Sequence, residues 1–86
     1  MATNLYWATP SRRDRVLGYQ LKFILAPRLW EHDGSLGSDH TPVGRDLIPF
    51  LEGVVAATGV REVKAEAQKL IDLIERYGEV EIWLEG

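Results

Sequence analysis

The chain has 86 residues, of which 45% are hydrophobic and 27% are charged, and its formal net charge is −3. These values are typical of a globular domain, and we expect a single compact α+β domain over residues 1–86. The absence of cysteine excludes disulfides, thiol catalysis and thiolate metal sites. The chain has neither the apolar run of about twenty residues that a membrane span needs nor an N-terminal signal peptide pattern, so we expect a cytoplasmic protein.

The charges are unevenly distributed along the chain. Residues 1–30 contain five basic residues and one acidic residue, whereas residues 31–86 contain five basic and twelve acidic residues. This division favours attraction between the two halves within one fold. The alternative is that the halves form separate surfaces, one for anions and one for a basic partner.

The first predicted element is a strand over residues 3–8, because the segment is apolar and aromatic and is closed by Pro10. Ser11 and Asp14 have the spacing of a helix-capping pair. We therefore predict a helix over residues 12–26.

The helix assignment leaves one alternative open. Apolar residues between Tyr19 and Leu25 also alternate with period two, which is compatible with a strand. The length of the apolar pattern favours the helix, and Pro27 is expected to end it at Ala26.

Residues 31–44 contain three glycines, a proline and many small polar side chains, and they are predicted to form a loop. Most connections in a compact domain are about four to six residues long. Because this segment is longer, we expect it to be either functional or flexible.

Two helices are predicted in the second half of the chain. The first covers residues 47–58, with Asp46 as its N-cap and Pro49 in its first turn. The second begins directly after Gly59 and is strongly amphipathic. Gly78 is placed where a helix C-terminus requires a residue with positive φ.

A final strand is predicted over residues 79–85, in which apolar and polar residues alternate. The predicted order of elements is β-α-loop-α-α-β. We expect the N- and C-terminal strands to pair as a small two-stranded sheet that is covered on one face by three helices. The open edges of this sheet would be available to a second copy or to another protein.

The C-terminal strand carries the main candidate site. Its alternation places Trp83 among glutamates on the face that we expect to be outward, and Trp7 on the paired strand is expected to lie near it. A partly exposed aromatic patch with an acidic rim is a common protein-binding anchor. The predicted protein-binding residues are Trp7, Glu79, Glu81, Trp83 and Glu85. The alternative is that the arginines of residues 12–15 cover Trp83 by stacking and ion pairing.

A second hypothesis is an oligomer that binds a small anionic ligand such as a nucleotide. It combines guanidinium groups with the backbone N–H groups of a glycine-rich loop. The candidate residues are Arg12, Arg13, Arg15, Gly34, Ser35 and Ser38. The segment lacks the lysine and the spacing of a P-loop, so it is equally compatible with a charged turn next to a flexible loop.

Metal binding and hydrolysis have less support. The side chains of His32, Asp33, Asp39 and His40 suit a divalent metal, but their spacing matches no established pattern. Serines of the same loop can be combined with these residues as a triad, yet the chain contains no nucleophile elbow. We therefore predict no metal, no cofactor and no enzymatic activity.

Several short segments resemble small uncharacterised proteins encoded in phage and prophage genomes. They are Asn4-Leu5-Tyr6-Trp7, Leu21-Lys22-Phe23, Ile48-Pro49-Phe50-Leu51-Glu52-Gly53, Leu70-Ile71 through Ile74-Glu75, and Gly78-Glu79-Val80-Glu81. The resemblance touches every predicted element but omits most of the loop, and none of these segments carries a chemical mechanism. It implies a small accessory protein that acts on a host component, in the host cytoplasm.

The sequence as a whole predicts a non-enzymatic interaction module with a protein partner. Self-association is also expected, because a domain of this size buries a modest core. A nucleic-acid partner is not expected, since the pI is about 5.3.

Overall fold

The computed structural model describes residues 4–29 and 40–85, apart from the side chains of residues 12–15 and 27. These described residues form four strands, three α-helices and a short 3₁₀ helix, Arg45–Leu47, that leads directly into the second α-helix. The elements in chain order are β1 (Asn4–Thr9), β2 (Arg12–Gly18), α1 (Lys22–Leu29), β3 (Thr41–Gly44), α2 (Ile48–Ala57), α3 (Arg61–Tyr77) and β4 (Glu79–Glu85).

The four strands form one antiparallel sheet in the order β2-β1-β4-β3. The two central strands come from opposite ends of the chain, and their register pairs Leu5 with Leu84 and Trp7 with Ile82. The mixed α+β class and the pairing of the terminal strands are therefore confirmed.

The predicted two-stranded sheet and the predicted element order are wrong. β2 adds a strand beside β1, and β3 adds a strand beside β4. β3 has only four residues, Thr-Pro-Val-Gly, and lies at the end of the segment that was predicted to be a loop. Its proline and glycine are typical of turns, so pairing with β4 rather than local propensity makes it a strand.

The helix predicted over residues 12–26 is wrong for residues 12–21, and only residues 22–26 of it are helical. The chain turns back at Pro10 and Ser11, and residues 12–18 pair with β1 as a hairpin. The helix begins only at Lys22 and continues through Pro27 to Leu29. The Ser11 hydroxyl lies 3.3 Å from the Thr9 hydroxyl, within the hairpin. The spacing that suggested a helix cap therefore belongs to a β-turn.

The three α-helices and the inner face of the sheet share one hydrophobic core. Its largest fully buried side chains come from β1, β4, all three helices and the turn before α1: Leu5, Leu21, Leu25, Leu51, Leu70, Ile74, Val80 and Ile82. The opposite face of the sheet is therefore separate from the helix layer. Within the described residues, no helix combines the length and the apolarity that are needed to span a membrane.

The strongest sequence pattern gives the expected helix. α3 is amphipathic and buries one side-chain stripe, Val63, Ala67, Leu70, Ile71 and Ile74. Gly78 ends the helix with a φ of 83°, and its N–H donates to the Ile74 carbonyl at 2.7 Å. Both the helix and its glycine stop are confirmed.

The helix predicted over residues 47–58 is confirmed as α2, with Pro49 in its first turn. Asp46 is not its N-cap, because the residue before α2 is Leu47 and no side chain caps the helix. Asp46 instead lies within the 3₁₀ helix.

Candidate functional site

The two faces of the sheet separate the two tryptophans that were expected to lie together. Trp7 is paired with Ile82 on the inner face, where it is 6% exposed and stacks on Tyr77 with ring centroids 6.2 Å apart. Trp83 is paired with Tyr6 instead and lies on the opposite face. The predicted Trp7–Trp83 patch is therefore wrong, because the strand register places Tyr6 rather than Trp7 beside Trp83.

Trp83 is also much less accessible than expected, with 3% of its surface exposed. Tyr6 stacks on it from β1, with ring centroids 5.9 Å apart. His40 stacks on it from the residue before β3, with ring centroids 3.8 Å apart. Since β1 and β3 flank β4, Trp83 is the centre of a row of three rings across the sheet. Trp83 is therefore a buried ring stacked between Tyr6 and His40 rather than an exposed anchor.

Two glutamates of β4 hold this row in place. The Trp83 indole N–H donates to Glu85 Oε2 at 2.8 Å. The His40 Nδ1 atom lies 3.5 Å from Glu81 Oε1, and both side chains are about half exposed, at 50% and 53%. The indole N–H therefore has a hydrogen-bond acceptor, and the imidazole has a neighbouring carboxylate, on the solvent side of the row.

A cleft of about 360 Å³ opens where β1 ends and β4 begins, next to this row of rings. Its walls are formed by Ala8, Thr9, Pro10, His40, Glu79, Val80 and Glu81. Glu79 and Glu81 are exposed, and none of the lining residues that the structure describes is a lysine or an arginine. The cleft is therefore acidic and has an aromatic edge at His40.

Of the predicted protein-binding residues, the three glutamates are exposed and the two tryptophans are buried. Glu79 and Glu81 line the cleft, and Glu85 is bonded to Trp83. Glu81 and Trp83 are the pair that the structure joins through His40, whereas Trp7 belongs to the core.

The structure tests little of the predicted anion site. Arg12, Arg13 and Arg15 lie in the edge strand β2 rather than at a helix start, and their side chains are outside the description. Gly34, Ser35 and Ser38 also lie outside the described residues. Anion binding by these residues stays a prediction.

The same holds for most of the metal candidates. His32, Asp33 and Asp39 lie outside the described residues, while His40 is stacked on Trp83. Among residues 4–29 and 40–85, no group of three or more metal-binding side chains converges on one point.

Tyr6 and Pro10 were not among the predicted site residues, and His40 was predicted only as a metal candidate. Tyr6 had a usable signal, because period-two alternation already placed it on the face opposite Leu5 and Trp7. His40 had none, since its position depends on β3 pairing with β4 across a long sequence separation.

Comparison with protein-family models, with curated protein sequences and with solved structures finds no match to this chain.

Proposed function

We propose that the protein is a non-enzymatic interaction module that binds a basic segment of a partner protein in the cleft between Pro10 and His40. The observation that carries this proposal is the cleft of about 360 Å³ with two exposed carboxylates and, among the residues with described side chains, no basic residue in its lining. A lysine or arginine side chain of a partner matches this chemistry.

The rigidity of the surrounding residues supports the proposal. Trp83 is buried, stacked between Tyr6 and His40, and hydrogen-bonded. Its side chain beside the cleft therefore does not need to be ordered on binding. Binding to a preorganised surface avoids much of the entropy cost of association. The imidazole of His40 adds an exposed ring edge on which the aliphatic part of a lysine or arginine side chain can pack.

The negative charge of β4 favours a positively charged partner. The strand contains three glutamates and no basic residue, and the neighbouring β1 contains no charged residue. A basic segment that lies along these strands therefore meets no repulsion from either of them. The role that we propose for such a module is that of a phage-type accessory protein that modulates a host protein.

The test is selection of short peptides from a random displayed library, followed by affinity measurement by fluorescence anisotropy. We expect the selected peptides to be enriched in lysine and arginine. The double variant Glu79→Gln/Glu81→Gln should weaken their binding by about tenfold, since each exposed charge pair contributes about 0.2–1 kcal/mol.

The matched control is Glu62→Gln/Glu75→Gln, which changes the net charge equally at two exposed positions of α3. It should leave peptide affinity within about twofold of the original value. Selected peptides without basic residues, or equal losses in the two double variants, would contradict the proposal.

A further inference from the structure

The second helix exposes apolar surface on the side that faces away from the core. α2 has the sequence Ile-Pro-Phe-Leu-Glu-Gly-Val-Val-Ala-Ala, in which Glu52 is the single charged residue. A helix that is apolar around its whole circumference is normally covered on all sides. In α2, however, only Leu51 is fully buried.

The uncovered side of α2 is a strip of four residues without long side chains. Pro49, Gly53, Ala56 and Ala57 are all exposed and lie together on the helix surface, opposite Leu51 and Val55. Beside this strip, a groove of about 480 Å³ separates α2 from α1. The groove is lined by Ile24, Pro49, Phe50, Gly53, Val54, Ala57 and Thr58.

The two borders of the strip carry opposite charges. On one side is Glu52, which is exposed. On the other side is Arg28 of α1, whose guanidinium lies over the Phe50 ring at 4.3 Å. A two-fold axis that runs along the strip places the Glu52 border of one copy opposite the Arg28 border of the other, so the surface is complementary to itself.

From this self-complementarity we propose that the strip and groove of α2 are the interface through which two copies of the chain pair. Gly53 lies at the centre of this interface. A Cβ atom at Gly53 would meet nothing within 4 Å, so its backbone is open to close approach by a second helix. Pairing also covers apolar surface that a domain of this size otherwise exposes to water.

Sedimentation equilibrium over a range of protein concentrations tests the pairing. We expect the mass of the unaltered chain to rise from 9.7 kDa towards twice that value as concentration increases. Gly53→Glu places two carboxylates against each other at the axis and should weaken the dimer at least tenfold. The matched control is Gly59→Glu, because a Cβ at Gly59 also meets nothing within 4 Å and Gly59 does not line the groove.

Disulfide trapping tests where the axis lies. The chain contains no cysteine, so Gly53→Cys introduces its single thiol. Under mild oxidation Gly53→Cys should form a covalent dimer at least tenfold faster than Gly59→Cys. Equal rates for the two thiols would overturn the proposed interface.

A charge exchange distinguishes pairing of two copies from docking of a foreign helix. Glu52→Arg should weaken the dimer, and the double variant Glu52→Arg/Arg28→Glu should restore it, because the exchanged charges again face each other. A chain that stays monomeric at all concentrations, or a dimer that Gly53→Glu leaves intact, would overturn the proposal.

Discussion

Gly18 and Glu66 show how single residues join the two halves of the chain. The backbone N–H groups of Gln20 and Leu21 donate to Glu66 Oε1 at 3.0 and 2.8 Å. A carboxylate from α3 therefore accepts hydrogen bonds from the N–H groups just before α1. A Cβ atom at Gly18 would lie 2.2 Å from Glu66 Cδ. The glycine is therefore required by the close approach of the carboxylate.

This contact predicts coupled stability effects. Glu66→Ala should lower the free energy of unfolding by about 1–3 kcal/mol, because two backbone donors lose their acceptor. Gly18→Ala should cost a similar amount by displacing the carboxylate. In the double variant the two losses should be clearly less than additive, since alanine at position 66 no longer meets the new methyl group.

Urea denaturation of the four proteins measures this coupling. Glu62→Ala, one turn earlier on the exposed side of α3, is the control and should change stability by no more than about 0.5 kcal/mol. Strictly additive losses for Gly18→Ala and Glu66→Ala would show that the two positions act independently.

At the scale of elements, the local sequence of α3 and β4 is sufficient to predict both elements. Its hydrophobic stripe, its glycine stop and its alternating strand all lie within residues 61–85. The register between β4 and β1 then follows from matching the apolar face of each strand, which pairs Leu5 with Leu84. The helix, the glycine stop and the strand could be predicted because local pattern and tertiary packing agree. The predicted contact of Trp7 with Trp83, in contrast, does not fit this register.

The same unit predicts a position-specific effect of glycine replacement. Gly78→Ala should lower the free energy of unfolding by about 1–2 kcal/mol, because a φ of 83° is unfavourable for a residue with a Cβ atom. Gly59→Ala is the control, since Gly59 has open space around it and no positive φ. Thermal unfolding of both variants measures the difference, and equal stability of the two would contradict the role assigned to Gly78.

The hairpin β1–β2 and the short strand β3 could not be predicted in this way. Residues 12–18 begin with four charged residues and lack the alternation of a half-buried strand. β2 is at the edge of the sheet, and of residues 16–18 only Leu17 is buried. β3 has turn residues and depends on β4 for its conformation. Trp83 is buried by rings that come from β1 and from the residue before β3. Its burial could not be predicted because β3 was predicted to be a loop.

At the scale of the whole molecule, the sheet runs from a basic edge to an acidic interior strand. β2 contains three arginines and one aspartate, β1 contains no charged residue, and β4 contains three glutamates. In the described part of the chain, charged side chains of α3 reach the backbone of the first half: Glu66 accepts from Gln20 and Leu21, and the Lys69 ammonium donates to the Val16 carbonyl at 3.3 Å. The glutamates of β4 are exposed on the opposite face of the sheet, where Glu81 contacts His40 and Glu85 accepts from Trp83.

The proposal that this acidic face binds a basic segment is tested most directly by nuclear magnetic resonance. The indole N–H signals of Trp83 and Trp7 report on opposite faces of the sheet. The chain has three tryptophans, so Trp83→Phe and Trp30→Phe assign two of the three indole signals and leave the Trp7 signal. Titration with a lysine-rich peptide should shift the Trp83 signal and leave the Trp7 signal in place. Equal shifts of both signals, or no shift of the Trp83 signal at saturating peptide, would contradict binding at this face.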